Sequence, residues 1–264
     1  MRIASLSSGS CGNCIYIGSD DHHILIDAGI SKKKIEEGLA RLELSPSDLD
    51  AVLITHEHGD HVNGLGVLSR KYGLPLYATE GTIDQIETMK ALGKIPDGLF
   101  HVIRAEEDFR LGDLEIQPFT VAHDAAEPVA YRINSGRRSA AVVTDLGEYD
   151  ESIIAKLQQL DALLLEANHD VRMLQAGPYP YRLKRRVMGN RGHLSNEDAG
   201  RLLCELIHPG LQGVLLGHLS KQNNYEELAR EAVRMEVALG GGCRGEDLPV
   251  GIAPRGALSE IMNI

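Results

Sequence analysis

"DAVLITHEHGDHVNG" occupies residues 50–64, and its reading decides what kind of molecule this is. Residues 50–55 form a continuous apolar strand of the buried kind. His56, His58, Asp60 and His61 follow at once, placing four groups able to hold a metal within six positions. Alternation along a strand sends His56 and His58 to one side as the strand ends. Asp60 and His61 lie on the turn beyond, free to converge from another direction. Three imidazoles and a carboxylate suit Zn, Mn or Fe better than Ca or Mg. A polar loop that merely happens to be rich in His is the poorer reading, because groups so costly to dehydrate are seldom kept beyond a buried strand for packing alone.

Further ligands come from elsewhere in the chain by the same grammar, an apolar strand followed by a polar residue. "QPFTVAHD" carries His123, "AAVVTDLG" carries Asp145 and "GVLLGH" carries His218. Each alone could be an ordinary edge residue; beside the 56–61 cluster they fill the coordination of two divalent metals.

The chain has 264 residues with 43% hydrophobic and 25% charged side chains, the composition of a globular protein with ample core. Its formal charge of -11 argues against indiscriminate binding to nucleic acid or anionic membrane. No stretch approaches the ~18–20 continuous apolar residues of a membrane span. "MRIASLSSGSCGNC" lacks an apolar signal core, so the expected location is cytoplasmic. Cys11 and Cys14 sit in a glycine turn with no second Cys pair, which disfavours a redox or zinc motif.

Strands are expected at Arg2–Ser7, Cys14–Ser19 and His22–Asp27, then a helix Lys32–Leu42 capped by Ser31. A helical stretch to about Tyr72, strand Pro75–Thr79 and helix Thr82–Leu92 follow the His-rich loop. A second series repeats the pattern: strands near 99–103, 114–120, 129–133 and 140–144, helix 151–160, strand 161–165, helix Ser195–Ile207, strand 213–216 and helix Tyr225–Val237. Ser195 and Asp198 form a capping-box pattern, with Asp in place of Glu. Two such series predict two sheets face to face with helices outside, a four-layer αββα sandwich, in one domain over residues 1–264.

H-x-H-x-D-H followed by a separate His, an Asp and a final His resembles the metallo-β-lactamase superfamily, and the ordered motifs run from Asp27 in "ILIDAG" to His218. "SLSSGSCGNCIYI", "HLSKQNN" and "VGIAPRG" are similar to its YycJ/WalJ branch, regarded as 5′-to-3′ exonucleases on double-stranded DNA. The resemblance implies that His56, His58 and His123 hold one metal, that Asp60, His61 and His218 hold a second, and that Asp145 bridges them. Two metals about 3.5–4 Å apart clamp the attacking and leaving oxygens of a displacement. Asp60 would also orient the nucleophile, and Asp27 would buttress the ligands without binding metal. In phosphodiesterase relatives a Glu at the place of Glu166 orients a His at the place of His193, a pair suited to protonating a leaving oxygen. His169 competes for that role but lies off the pattern. The interval from Asp145 to His218 is too short for the inserted domain of β-CASP relatives.

That interval holds "YRLKRRVMGNRGH" (181–193), with Arg182, Lys184, Arg185, Arg186 and Arg191. Such a run is either a solvated helix face or a grip on a phosphate backbone, and its place just before His193 favours the grip. Tyr179 and Tyr181 could stack on a frayed end or simply pack in a loop. The expected partner is therefore nucleic acid, which the resemblance narrows to double-stranded DNA ends, with no membrane. The alternatives are a hydrolase of a small phosphodiester, thioester or lactone, and a metal-bound scaffold without turnover. Gly-His-Leu-Ser occurs twice, at 192–195 and 217–220; the second follows a buried strand and reads as ligand, the first follows the basic run and reads as catalyst.

Overall fold

Strands buried on both faces set the architecture. In the computed structural model, which describes residues 1–240 and 248–264, the first series comprises β1 (Arg2–Ser7), β2 (Cys14–Gly18), β3 (His23–Ile26), α1 (Lys32–Ala40) and β4 (Ala51–Leu53). It continues through α2 (Gly59–Val62), α3 (Leu65–Tyr72), β5 (Leu76–Thr79), α4 (Glu80–Thr88) and β6 (Phe100–Ile103). The second series runs β7 (Phe109–Leu111), β8 (Leu114–Thr120), β9 (Val129–Ser135), β10 (Arg138–Val143), α5 (Glu151–Leu157) and β11 (Ala162–Glu166). After it come α6 (Val171–Ala176), α7 (Tyr181–Val187), α8 (Asn196–Leu206), β12 (Gly213–Gly217), α9 (Glu226–Leu239), β13 (Val250–Ile252) and β14 (Met262–Asn263).

The strands form two seven-stranded sheets, β14-β1-β2-β3-β4-β5-β6 and β13-β12-β11-β10-β9-β8-β7. Each changes from antiparallel to parallel pairing partway across, at β3–β4 in one and at β10–β11 in the other. Alternation explains the layering. Ile15, Ile17, Ile24 and Ile26 point between the sheets and meet Tyr131, Ile133, Val142 and Leu164. Tyr16 and Leu25 point the other way, onto Ile35 and Leu39 of α1 and Leu65 and Leu68 of α3. In the second sheet Leu163 and Leu165 pack outward on Leu202 and Leu203 of α8 and Val233 of α9. The αββα sandwich is present as expected.

Several boundaries differ. β4 stops at Leu53 rather than Thr55, because the Thr55 amide leaves the ladder to donate to Asp27 Oδ1 at 2.8 Å. His56 and His58 therefore lie on a loop, and strand alternation is not what brings them together. The helix expected over Thr82–Leu92 starts at Glu80, ends at Thr88 and is followed by a 3₁₀ turn, Lys90–Leu92. Ser31 caps α1 as expected. Ser195 caps α8 through the Asp198 amide at 3.0 Å, but the Asp198 carboxylate accepts from the Ser195 hydroxyl rather than reaching its backbone, so the box is half closed. No helix among the described residues is long and apolar enough to cross a membrane.

Candidate metal centre

All the motif residues leave from the carboxyl ends of strands, so they arrive at one edge of the sandwich. Asp27 follows β3, His56–His61 follow β4, His123 follows β8, Asp145 follows β10 and His218 follows β12. Asp27, Asp145 and His218 have left-handed backbones, with φ of 63°, 57° and 53°. Non-glycine residues seldom adopt that conformation, and it concentrates at functional sites. The two sheets are tied at this edge, where Val129 donates to the Thr55 carbonyl at 3.0 Å and Tyr131 donates to the Ile54 carbonyl at 2.8 Å.

The His-rich loop is clamped from below. Asn13 and Ala28 donate to the carbonyls of Asp60 and His61 at 2.7 and 2.8 Å. A Cβ on Gly29 would lie 1.7 Å from the Asp60 carbonyl oxygen, so only glycine allows this approach. Asp27, fully buried, accepts from His61 Nδ1 at 2.7 Å and from the Thr55 hydroxyl at 2.9 Å. That contact turns His61 Nε2 toward the site. His56 Nδ1 meets the Thr55 hydroxyl at 3.0 Å, and His123 Nδ1 meets the Gly192 carbonyl at 3.1 Å, freeing both Nε2 atoms in the same way.

Two clusters result. His58 Nδ1 lies 3.0 Å from His56 Nε2 and 3.3 Å from His123 Nε2. Asp60 Oδ2 lies 3.7 Å from His61 Nε2 and 3.9 Å from His218 Nε2. Asp145 stands between them, with Oδ1 3.6 Å from His123 Nε2 and Oδ2 3.1 Å from His61 Nε2. Each set of donor atoms falls within 4.8 Å, the span of a shared cation. Among the described residues Asp145 Oδ2 and His218 Nδ1 are buried without a well-formed hydrogen bond, a costly arrangement that a bound cation would relieve. Imidazole nitrogens facing each other at about hydrogen-bond distance likewise call for a cation. The residues fit two divalent metals.

The electrostatics differ between the two clusters. Burial, with the neighbouring imidazoles, holds His56 well below the ordinary histidine range, in the neutral form a ligand needs. Asp145 is fully buried, yet His218 and His61 hold its carboxyl well below the usual range. Burial opposes charge on His61 too, and there Asp145 and Asp27 prevail and raise it well above the histidine range.

Beside the clusters, Glu166 Oε1 accepts from His193 Nδ1 at 2.8 Å, while its Oε2 accepts the Leu146 amide at 2.9 Å and the Leu194 amide at 3.3 Å. Burial pulls His193 down, but the charge and hydrogen bond of Glu166 push it up to about 9. His193 is also within reach of Asp145 and His218, so Asp145, Glu166, His193 and His218 form a further group with ligand spacing. His169 is apart from the clusters; its Nδ1 is buried and has no partner among the described residues.

A cleft of about 370 Å³ opens on the clusters, lined in part by Ser10, Asp60, Asn168, Tyr179, Arg186 and His193. The basic run divides. Arg186 lines the cleft, paired with Asp124. Arg191 Nε donates to the His123 carbonyl at 2.9 Å, and Lys184 donates to the Gln175 carbonyl at 2.6 Å. Arg182 and Arg185 are exposed on α7 and make no ion pair among the described residues. Tyr181 is 76% exposed and outside the cleft lining. Cys11 is exposed and Cys14 buried, both as free thiols.

Sequence reasoning did not single out Thr55, Asn13, Ser8 or Asn168. Asn13 Nδ2 lies 3.0 Å from His61 Nε2, Ser8 accepts the His218 amide at 2.8 Å and Asn168 donates to the His218 carbonyl at 2.9 Å. Only Thr55, adjoining His56, carried a local signal.

An αββα sandwich gathering His and Asp at the carboxyl ends of its strands defines a class of metal-binding hydrolase folds. The family model described as the Beta-lactamase superfamily domain matches residues 22–218, and the chain belongs to that superfamily. It is 41% identical over 237 residues to "Exodeoxyribonuclease WalJ" of Streptococcus pneumoniae, covering 90% of this chain and 88% of that one. It is 40% identical over 233 residues to "Exodeoxyribonuclease YycJ" of Bacillus anthracis, covering 88% of each, which puts it in their branch. The fold matches Zn(2+)-bound PqqB from Methylobacterium extorquens at a TM-score of 0.74 and 20% identity, covering 100% of both chains. YhfI from Bacillus subtilis gives 0.70 at 20% identity, covering 97% of this chain and 98% of that one.

Proposed function

We propose that this chain is a dinuclear metal-dependent phosphodiester hydrolase, an exodeoxyribonuclease that degrades double-stranded DNA from 5′ ends, with residues 1–264 acting as one domain. The observation that carries it is Asp145, whose two oxygens face two separate clusters of ligand atoms in a chain 41% identical to an exodeoxyribonuclease. His56, His58 and His123 would hold one metal, Asp60, His61 and His218 the other, with Asp145 shared. Zn, Mn or Fe, so bound, would supply Lewis-acid stabilisation of the attacking and leaving oxygens. Asp60, a quarter exposed at the cleft, orients the attacking water. His193, kept protonated by Glu166, donates a proton to the leaving oxygen. Asp27 and Thr55 hold the imidazoles in register. Arg186, with the exposed Arg182 and Arg185, supports a grip on backbone phosphates, a contact that positions DNA without reading its sequence.

Digestion of end-labelled duplex DNA, with and without a 5′ phosphate, across Mn, Zn and Mg tests the reading. Mononucleotide release from 5′ ends is expected. Failure to cut any duplex, alongside clear turnover of a small phosphodiester, would replace it with the small-molecule alternative.

A further inference from the structure

Two sequence stretches leave residues without a role, Gly9–Gly12 within "SLSSGSCGNC" near the start and "VGIAPRG" at 250–256. The fold puts them together beside the cleft. Ser8 donates its amide to the Pro254 carbonyl at 3.1 Å, and the Ser7 hydroxyl donates to the Arg255 carbonyl at 3.0 Å. The Arg255 side chain lies along Gly9: a Cβ there would sit 2.7 Å from Arg255 Cγ and 3.3 Å from the Leu219 carbonyl. Gly9 also has φ of 148°, so glycine is required both by conformation and by space.

Gly9–Gly12 is a tight turn, closed by the Gly12 amide on the Gly9 carbonyl at 2.9 Å. Its ends are buried and its tip, Ser10 and Cys11, is exposed. The amides of Ser10 and Cys11 make no hydrogen bond among the described residues, and Ser10 lines the metal cleft. Arg255 Nη1 is buried and has no hydrogen-bond partner among the described residues. The half-buried Arg132, by contrast, donates to the carbonyls of Lys156 and Gln158. A guanidinium with an unpartnered Nη1, whose stem lies along Gly9, and the free amides of the same turn are donors of the kind that suit an oxyanion. Its place is next to His218, while Arg186 and Asp124 stand at the His123 end.

We propose that Arg255 and the Gly9–Gly12 turn form a phosphate-binding subsite at the His218 end of the cleft, which rests on the phosphodiesterase reading above. The phosphate is either the terminal monoester of a 5′ end or a backbone diester. Arg186 and Arg255 then hold a strand at the two ends of the metal centre.

The test is binding of duplexes whose 5′-terminal linkages are cleavage-resistant phosphorothioates, with a 5′ phosphate or a 5′ hydroxyl, to metal-loaded wild type, R255Q and R255K. Metal content and melting temperature serve as controls. Losing charge-assisted bonds predicts about tenfold or greater weakening for R255Q, with R255K intermediate because it keeps charge without the fork. Loss confined to the phosphorylated duplex assigns a terminal phosphate, and equal loss on both assigns a backbone phosphate. Unchanged affinity on both, in either folded variant, overturns the subsite. A wild type that binds through Arg255 yet cuts no duplex would sink the exonuclease reading and leave the subsite standing.

Discussion

At Asp27, Asp145 and His218 a left-handed residue ends a buried strand and turns a polar side chain into the site. Such conformations cost about 1–3 kcal/mol each. They were not legible beforehand, because Asp and His, though enriched at positive φ, far more often adopt other conformations. The clustered His and Asp side chains themselves were legible: His56 to His61 are adjacent in sequence, and the others share the position just past an apolar run. Their supports were not, because Asn13 reaches His61, and Ser8 reaches His218, only through the fold. The two Gly-His-Leu-Ser stretches differ in what holds them. His218 carries a buried nitrogen that makes no well-formed hydrogen bond among the described residues and faces Asp145 at 3.3 Å, whereas His193 has Glu166. His218→Ala should lose bound metal, measured by elemental analysis of purified protein. His193→Ala should keep two metals per chain while its rate falls by about 10²–10⁴-fold. If His193→Ala strips a metal, the group formed by Asp145, Glu166, His193 and His218 is the coordinating one.

Among the elements, α6 and α7 were the least readable. Pro178 and Pro180 interrupt the stretch, and α7 is a cationic single-face helix without an apolar period. Its neutralisation is informative. Replacing Arg182 and Arg185 together by Gln should weaken duplex affinity regardless of sequence and reduce the slope of log K against log salt by about two. An unchanged slope would assign them to solvent. Nearby, His169 forms a parallel bridge to Ser195 that joins the loop after β11 to the start of α8. Burial lowers His169 to about 4. The unfolded chain therefore binds the proton first as pH falls, so stability is complete above about pH 6.5 and lost progressively toward pH 4. The total is about 3 kcal/mol. His169→Asn should flatten the fall of melting temperature across that window; an equally steep fall would exonerate His169.

Taken whole, the molecule was legible as layers because strands such as Ile15-Tyr16-Ile17 and Leu163-Leu164-Leu165 are apolar on both faces. The sequence could not say which strand neighboured which, since β1 pairs with β14 across the full length of the chain. The site spans both halves: the first sheet delivers His56, His58, Asp60 and His61, the second His123, Asp145 and His218. Removing metal by dialysis against a chelator should lower the melting temperature, with about 4 kcal/mol lost per site held at a thousandfold excess over its dissociation constant. An unaltered transition would show that the sheets need no such bridge. The clasp between Arg191 and the His123 carbonyl, returned by His123 Nδ1 to the Gly192 carbonyl, has a further thermodynamic meaning. It makes the cationic loop and His123 one mechanical unit, so under the proposed function DNA and metal would be heterotropic effectors of each other. Whatever factor a bound duplex adds to metal affinity, metal must return to duplex affinity.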